Sequence, residues 1–296
     1  MYDIAIIGGG PAGLTAAIYA RRANKKTLLL ESTMCGGQMI NTVKIDNYPA
    51  LAHTDGLEIA KSMQKQAEDL GAEIEFERAT KIKAIDGGFS ITTEDSEYQA
   101  RSIIIATGTN PRKLGIADEA RYEAKGVSYC ATCDGAFYKD QPVTVYGGGN
   151  SAFHEALYLA GSCSKVYLVN RSETFRADVA LVERAKNTPN IEIVTGSVIK
   201  ALSGEPKLEQ VILDDDTKLD SKALFVAIGR IPNGSDLLED LSVDKDGFIV
   251  SDDECTTNIP GIFVAGDVRT KKLRQIVTAT ADGAEAATAA IEFLNR

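Results

Sequence analysis

Two strand–glycine loop–helix–strand units of equal length, three further apolar strands that each run into a glycine, and a middle segment that interrupts the first set predict an α/β fold. In the first unit Tyr2–Ile7 is the strand, Gly8-Gly9-Gly10-Pro11-Ala12-Gly13 the loop, and an alanine-rich helical pattern reaches about Arg22. A second strand, Thr27–Leu30, then closes on Glu31. Pro142–Tyr146 repeats the opening strand, with Gly147-Gly148-Gly149-Asn150-Ser151-Ala152 as its loop and a helical pattern through Leu159. Lys165–Val169 closes this unit on Asn170, which follows Gly147 at the separation at which Glu31 follows Gly8. One GxGxxG loop is a weak pattern. Two, each between strand and helix and each closing on a polar residue, predict two Rossmann-like (three-layer ββα) dinucleotide-binding domains, the second inserted into the first.

The remaining strands are 101–106, entering Thr107-Gly108; 223–228, entering Gly229-Arg230; and 262–265, entering Gly266-Asp267. A glycine there lets a backbone approach a ligand at the carboxyl edge of a sheet. Proline and glycine near 110–115 and a polar stretch at 236–247 mark the boundaries. The expected division is a first domain from 1–112 and 243–296 around an inserted domain at 113–242. Residues 278–294 read as a closing alanine-rich helix.

Composition excludes several functions. Hydrophobic content of 44% and charged content of 25% over 296 residues suit an ordinary two-domain globular protein. A formal charge of −10 opposes general nucleic-acid binding and an anionic membrane surface, since phosphate binding needs excess Lys and Arg. No apolar run approaches the roughly 18 residues of a membrane span. The N-terminus enters Ile4-Ala5-Ile6-Ile7 without a basic region or cleavage site, so no secretory signal is expected. Five sparsely placed cysteines make a poor disulfide framework. The expectation is a cytoplasmic protein with mostly reduced thiols and one special pair.

Each glycine of the first loop has a task. Gly8 permits the tight turn, Gly10 lets backbone approach a pyrophosphate, and Gly13 lets helix pack on strand. The helix start at Pro11 and Ala12 offers free N–H groups and a positive dipole end to phosphates. Glu31 stands where a carboxylate accepts hydrogen bonds from a ribose with a free 2′-OH, as in FAD or NAD. Thr107, Gly108 and Gly266 join this site. In the second loop Gly147, Gly149 and Ala152 repeat the pattern, with Asn150 and Ser151 opening the helix. Here the Glu31 position is Asn170, followed by Arg171 and Arg176. Loss of the carboxylate and gain of arginines favour a 2′-phosphate, hence NADP over NAD. Gly229 and Arg230 join this second site.

Cys130-Ala131-Thr132-Cys133-Asp134-Gly135 is a CxxC followed by an acid. Such a pair can close a small redox ring. Structural zinc needs four ligands, and this sequence offers no second CxxC and only His53 and His154. Beside two dinucleotide loops a redox role is expected. Asp134 can exchange a proton during thiol–disulfide exchange or can serve as a turn residue before Gly135; the two are compatible. Cys35, Cys163 and Cys255 receive no function, and His154 is expected to be structural or exposed.

At this point the chain resembles the low-molecular-weight thioredoxin reductases, class II of the pyridine nucleotide-disulfide oxidoreductases, along nearly its whole length. The matching motifs are GGGPAGLTAA from Gly8, GGQM from Gly36, DNYP from Asp46, ATGT from Ala106, CATCDG from Cys130 and GGGNSA from Gly147. FRA from Phe175, GIFVAGDV from Gly261 and RQIVTATADGAEAA from Arg274 complete them. The resemblance implies a homodimer, an FAD domain with an inserted NADPH domain, and thioredoxin or a thioredoxin-like protein as partner. It implies that residues 8–13 and Glu31 hold the ADP half of FAD, and that Gly36, Gly37, Gln38 and Asn47 lie near the flavin. Asp267 would hold the ribitol or pyrophosphate, with Arg274 beside it, and Gln275 and Ile276 would reach the pyrimidine edge. Cys133 would face the flavin, Cys130 would attack thioredoxin, and Asp134 would be the acid. The family also rotates its NADPH domain, with the two boundary segments as hinges.

Two departures fall in the second domain. The family's His-Arg-Arg stretch reads Asn170-Arg171-Ser172, and His154 replaces one of two paired glutamates. Some relatives use NADH and a clostridial group uses ferredoxin, which is acidic and globally repelled by a −10 protein. NADPH is therefore the expected donor, with NADH or ferredoxin as alternatives. A ferredoxin–NADP reductase would need no dithiol, and a peroxiredoxin-reducing relative would carry further thioredoxin-like domains. A non-catalytic flavin-binding redox sensor is the alternative from another class, and it predicts no turnover.

Overall fold

The computed structural model describes all residues except Val43, Lys44, Ala52 and His53 and the side chain of Asn41. In chain order the elements are β1 (Tyr2–Ile7), α1 (Pro11–Arg22), β2 (Thr27–Leu30), α2 (Gly56–Asp69), β3 (Glu73–Glu75), β4 (Ala79–Ile85), β5 (Gly88–Thr93), β6 (Glu97–Ile105) and β7 (Thr109–Pro111). There follow α3 (Glu119–Tyr122), β8 (Val127–Ser128), α4 (Ala131–Asp134), β9 (Pro142–Tyr146), α5 (Asn150–Ala160), β10 (Lys165–Val169), α6 (Val179–Lys186) and β11 (Ile191–Val194). Then come β12 (Ile199–Ser203), β13 (Gln210–Leu213), β14 (Lys218–Asp220), β15 (Ala223–Val226), β16 (Arg230–Pro232), β17 (Ile262–Val264) and α7 (Ile276–Leu294).

The chain divides into two compact units, one of Met1–Asn110 with Ile231–Arg296 and the other of Pro111–Arg230. The inserted arrangement is thus present, but the second crossing falls earlier than the polar stretch at 236–247 suggests. Residues 231–242, expected in the inserted domain, belong to the first unit. The reason is packing: Leu237 and Leu241, four apart within that stretch, are buried against β4, β5 and β17 of the first unit, and the Ile82 N–H donates to the Leu237 carbonyl at 2.7 Å. The two crossings, β7 and β16, pair with each other as a two-stranded sheet.

In the first unit the sheet order is β3-β2-β1-β6-β5-β4, with β17 also paired to β6. β1, β2, β3, β6 and β17 are mutually parallel, and β5 runs antiparallel to both of its neighbours, β6 and β4. Alternation along the strands sorts the two faces. Ile4, Ile6, Leu29 and Ile104 pack under α1 and α7. Ala5, Ile7, Leu28 and Ile105 pack under the β layer that includes Ile82, Phe89 and Ile91. The α1–α7 contact is made of alanines, Ala16, Ala17 and Ala20 with Ala286, Ala287 and Ala290. The helices come so near that a Cβ on Gly283 would stand 2.2 Å from the Ala12 carbonyl oxygen.

The second unit repeats the plan. Its sheet is β11-β10-β9-β15-β8, parallel throughout. Val143, Val145, Leu168 and Phe225 face α5 and α6. Val169, Leu224 and Val226 face the antiparallel β12-β13-β14 layer through Leu202, Val211 and Leu219. Each unit is therefore sheet, sheet and helix in three layers, as expected. No helix among the described residues is long and apolar enough to cross a membrane.

Candidate active site

At the carboxyl end of β1 the chain must turn at once into α1. Gly8 has φ +108°, and a Cβ there would lie 2.4 Å from the Ala106 carbonyl oxygen. A Cβ on Gly13 would lie 1.8 Å from the Gly8 carbonyl oxygen. These two glycines serve the fold. Gly10 differs: its φ is −74°, and a Cβ there would meet nothing within 4 Å. Open space in front of a helix start, with Pro11 at its first position and no side-chain cap, fits a phosphate held on backbone N–H groups. Glu31 reaches back beneath the loop, where its carboxylate accepts from the Gly9 N–H at 2.7 Å and from the Thr33 N–H at 3.1 Å.

Gly36 (φ +121°) donates its N–H to the Gly9 carbonyl at 2.7 Å, and Gly37 (φ +57°) sits against Gly10. Gly266 (φ +79°) adjoins the Ala12 methyl, so the Gly266–Asp267 turn stands at the start of α1. Arg274 donates to the carbonyls of Asp267, Lys271 and Arg269 and lies over the Phe248 ring at 4.2 Å. Asn47 Nδ2 donates to Gln275 Oε1 at 3.0 Å, and Gln275 caps α7 just before Ile276. Gln38 is exposed. Gly108 (φ +66°) is open, whereas Thr107 donates its hydroxyl to the Asn233 carbonyl. Most of the residues assigned to FAD thus gather around the carboxyl edge of the first sheet.

Under Gly266 lies a buried ion cluster that the sequence reading missed. Asp282 accepts from the Gly266 N–H (2.9 Å), Arg269 Nη1 (3.0 Å) and Lys271 Nζ (2.6 Å). All three side chains are close to 10% exposed. The clue was a lone Asp among the alanines of the closing helix.

The second loop follows the same steric logic. Gly147 has φ +153°, and a Cβ there would lie 2.3 Å from the Ala227 carbonyl oxygen. Gly149 faces open space, and Ala152 is buried at the third place. Asn150 accepts from the Asp178 N–H at 2.7 Å and donates to the Asp178 carboxylate at 3.0 Å, and Ser151 is exposed. Asn170 is buried, with its Nδ2 donating to the carbonyls of Ser172 (2.7 Å) and Thr174 (3.0 Å). It shapes the 170–176 turn from within. Arg171 and Arg176 flank that turn, both exposed, and neither guanidinium has a carboxylate partner among the described residues. Gly229 (φ +106°) follows β15, and half-buried Arg230 comes next.

Glu155, on α5, is the anomaly here. Its Oε2 is buried with no hydrogen-bond partner. Burial pushes its carboxyl up to about 7, against the pull of Arg230. The sequence did not single it out; its neighbour His154 is exposed, one of the two places expected for it.

Cys130 and Cys133 are joined in a disulfide, Cα atoms 5.3 Å apart, across the one-turn α4. The Cys133 and Asp134 N–H groups both donate to the Cys130 carbonyl, at 3.2 and 3.1 Å. Asp134 accepts from the Ser128 hydroxyl at 2.6 Å. Burial raises the Asp134 carboxyl above its ordinary range, and the Ser128 bond opposes that rise. Tyr129 donates to Glu119 at 2.7 Å, and Glu119 in turn holds the Leu114 and Gly115 N–H groups. Cys35, Cys163 and Cys255 are buried and free. Burial pushes Cys35 up to about 12 and Cys255 up to about 11, which disarms them as nucleophiles. Among the described residues no group of three or more His, Cys, Asp or Glu could hold a metal ion; His53 lies outside the described residues.

Residues 2–283 match the pyridine nucleotide-disulphide oxidoreductase family. The thioredoxin reductase of Treponema pallidum is 44% identical over 300 residues, covering 99% of this chain and 97% of that one. The crystal structure of thioredoxin reductase from Streptococcus pyogenes superposes with a TM-score of 0.93 at 41% identity, covering 100% of this chain and 98% of that one. Thioredoxin reductase from Giardia duodenalis superposes with a TM-score of 0.94 at 37% identity, covering 100% and 99%.

Proposed function

This chain belongs to the pyridine nucleotide-disulphide oxidoreductase family, among the thioredoxin reductases, and from that premise we propose that it reduces the disulfide of thioredoxin or a thioredoxin-like protein with electrons from NADPH. The observation that carries the reading is the Cys130–Cys133 disulfide with Asp134 beside it, in the unit that also bears the second glycine loop.

FAD fits the first unit: open space at Gly10 before α1 suits its pyrophosphate, and Gly36, Gly37 and the Gly266–Asp267 turn bring backbone to the same edge. When bound, FAD supplies a two-electron relay between a nicotinamide and a disulfide. Glu31, Asp267, Arg274, Gln275 and Ile276 orient it in this reading. NADPH fits the second unit. Gly149 leaves room for its pyrophosphate, and Arg171 and Arg176 are exposed cations without carboxylate partners among the described residues, suited to its 2′-phosphate.

With both thiols reduced, the Cys130 thiolate attacks one sulfur of the partner disulfide, and the other sulfur leaves and takes a proton from Asp134. Cys133 then attacks Cys130 Sγ, restoring the ring and releasing the second partner thiolate, protonated from water. Two electrons and two protons pass to the partner in each cycle. The same reading takes the protein as a cytoplasmic homodimer, which light scattering tests for the purified chain. Replacing Cys133 with Ser tests the mechanism: FAD should stay bound while thioredoxin reduction is lost. Full activity in that variant would overturn it.

A further inference from the structure

We propose that Ser128 is a positioning residue of this redox centre, a hydroxyl rotor that points at Asp134 when the acid is ionised and at the Cys130 carbonyl when it carries its proton. The proposal rests on the dithiol reading above. Its basis is an atom count. A serine hydroxyl has one hydrogen to donate and two lone pairs to accept with. Ser128 is buried at 6% exposure, so its hydroxyl depends chiefly on protein partners. Its oxygen lies 2.6 Å from Asp134 Oδ2 and 3.4 Å from the Cys130 carbonyl oxygen, and it accepts the Cys130 N–H at 3.1 Å. One hydrogen cannot serve both oxygens.

With Asp134 ionised, the short, charge-assisted bond to Oδ2 takes that hydrogen. With Asp134 protonated, the acid becomes a donor. Its O–H occupies the second lone pair of Ser128, and the serine hydrogen turns to the Cys130 carbonyl. That carbonyl already receives the Cys133 and Asp134 N–H groups that define the CxxC turn, so the serine hydrogen shares it as a third and weaker donor at 3.4 Å. In the protonated state every donor and acceptor of the hydroxyl is used. When Asp134 gives its proton to the departing thiolate, the serine hydrogen swings back to the new carboxylate. One group thereby links the proton on Asp134 to the backbone of the attacking cysteine.

The surroundings leave Ser128 as the polar influence on Asp134. Besides burial, only the Ser128 bond moves its carboxyl. Tyr138, in the turn that follows, is itself raised by burial and by Asp134. On α5, which packs against α4, the titratable side chains are His154, Glu155 and Tyr158, and none of them shifts Asp134. Removing the hydroxyl takes a charge-assisted bond from the ionised acid and only a weaker, neutral one from the protonated acid, so the acid must hold its proton to higher pH.

The test is a pH titration of the oxidised, FAD-loaded full chain by difference infrared spectroscopy, following the protonated-carboxyl band that disappears in Asp134→Asn. In Ser128→Ala that band should persist to higher pH than in the parent, while Ser128→Thr, which keeps the hydroxyl, should overlay the parent. In steady-state thioredoxin reduction, Ser128→Ala should lower kcat with KM unchanged and move the same limb of the pH profile upward. Ser128→Ala in an Asp134→Asn background should add no further loss. Superposable titrations of Ser128→Ala and the parent would overturn the rotor, as would an equal shift in Ser128→Thr. If the band shifts as expected but the parent reduces no thioredoxin with any donor, the rotor stands and the functional reading falls.

Discussion

Two carboxyls in the second unit are raised by burial, and they differ in what surrounds them. Asp134 has a donor at 2.6 Å and a disulfide one turn away, so its proton has somewhere to go. Replacing it with Asn should cut thioredoxin reduction on the order of 10²-fold while leaving the disulfide able to form, a magnitude typical of a lost general acid. Glu155 has an oxygen with no partner and a carboxyl pushed up to about 7 from an ordinary 4.5. The folded protein therefore binds this proton more tightly than the unfolded chain does. The stabilisation is fully present below pH 4.5 and is lost as pH rises through about 7. A shift of that size corresponds to roughly 3 kcal/mol as an upper figure. Glu155→Gln should flatten the fall in Tm between about pH 5 and pH 8, gaining most at the alkaline end. Parallel Tm curves for variant and parent would mean that Glu155 ionises freely in the fold.

The two glycine loops predict opposite outcomes for substitutions that look alike in the sequence. Gly13→Ala sets a methyl 1.8 Å from the Gly8 carbonyl oxygen, and the backbone must move; destabilisation of 4 kcal/mol or more is expected, on the order of the largest single-residue effects. Gly10→Ala and Gly149→Ala meet no protein atom within 4 Å, so both should fold with Tm near that of the parent. Gly10→Ala should lose FAD, seen as colourless protein, and Gly149→Ala should stay yellow but raise KM for NADPH. A yellow Gly10→Ala would place the pyrophosphate elsewhere. Much of this was legible in the sequence, because strand, glycine loop and helix must be adjacent in the chain to make a tight turn. What was not legible depends on contacts distant in sequence. Nothing near Asp282 announces that it meets Arg269, Lys271 and the Gly266 N–H. Leu237 and Leu241 hide in a polar stretch, which is why the second crossing was expected too late. Asn170 was placed as a ligand contact by its spacing; its Nδ2 donates to the Ser172 and Thr174 carbonyls, which that spacing did not announce. The 2′-phosphate reading rests on Arg171 and Arg176 and on the absence of a carboxylate at position 170.

Across the whole molecule, the donor is decided by a contest between global and local charge. A net charge of −10 disfavours an acidic protein donor such as ferredoxin, since like charges slow encounter. Locally, two exposed guanidiniums without carboxylate partners among the described residues flank the turn after the second glycine loop, and each bond they make to a 2′-phosphate is charge-assisted. NADH lacks that phosphate and gains nothing from them. Anaerobic titration of the visible flavin band should therefore show stoichiometric bleaching by NADPH and weaker binding of NADH. Arg171→Ala with Arg176→Ala should raise KM for NADPH by about 10- to 100-fold, as loss of one or two charge-assisted bonds predicts, with KM for NADH and kcat little changed. Equal sensitivity to both nucleotides would show that the arginines do not read the phosphate. A yellow protein that neither nucleotide bleaches would leave the second loop without a role in hydride transfer, and reduced ferredoxin would then have to overcome the charge of the whole chain through a basic patch of its own.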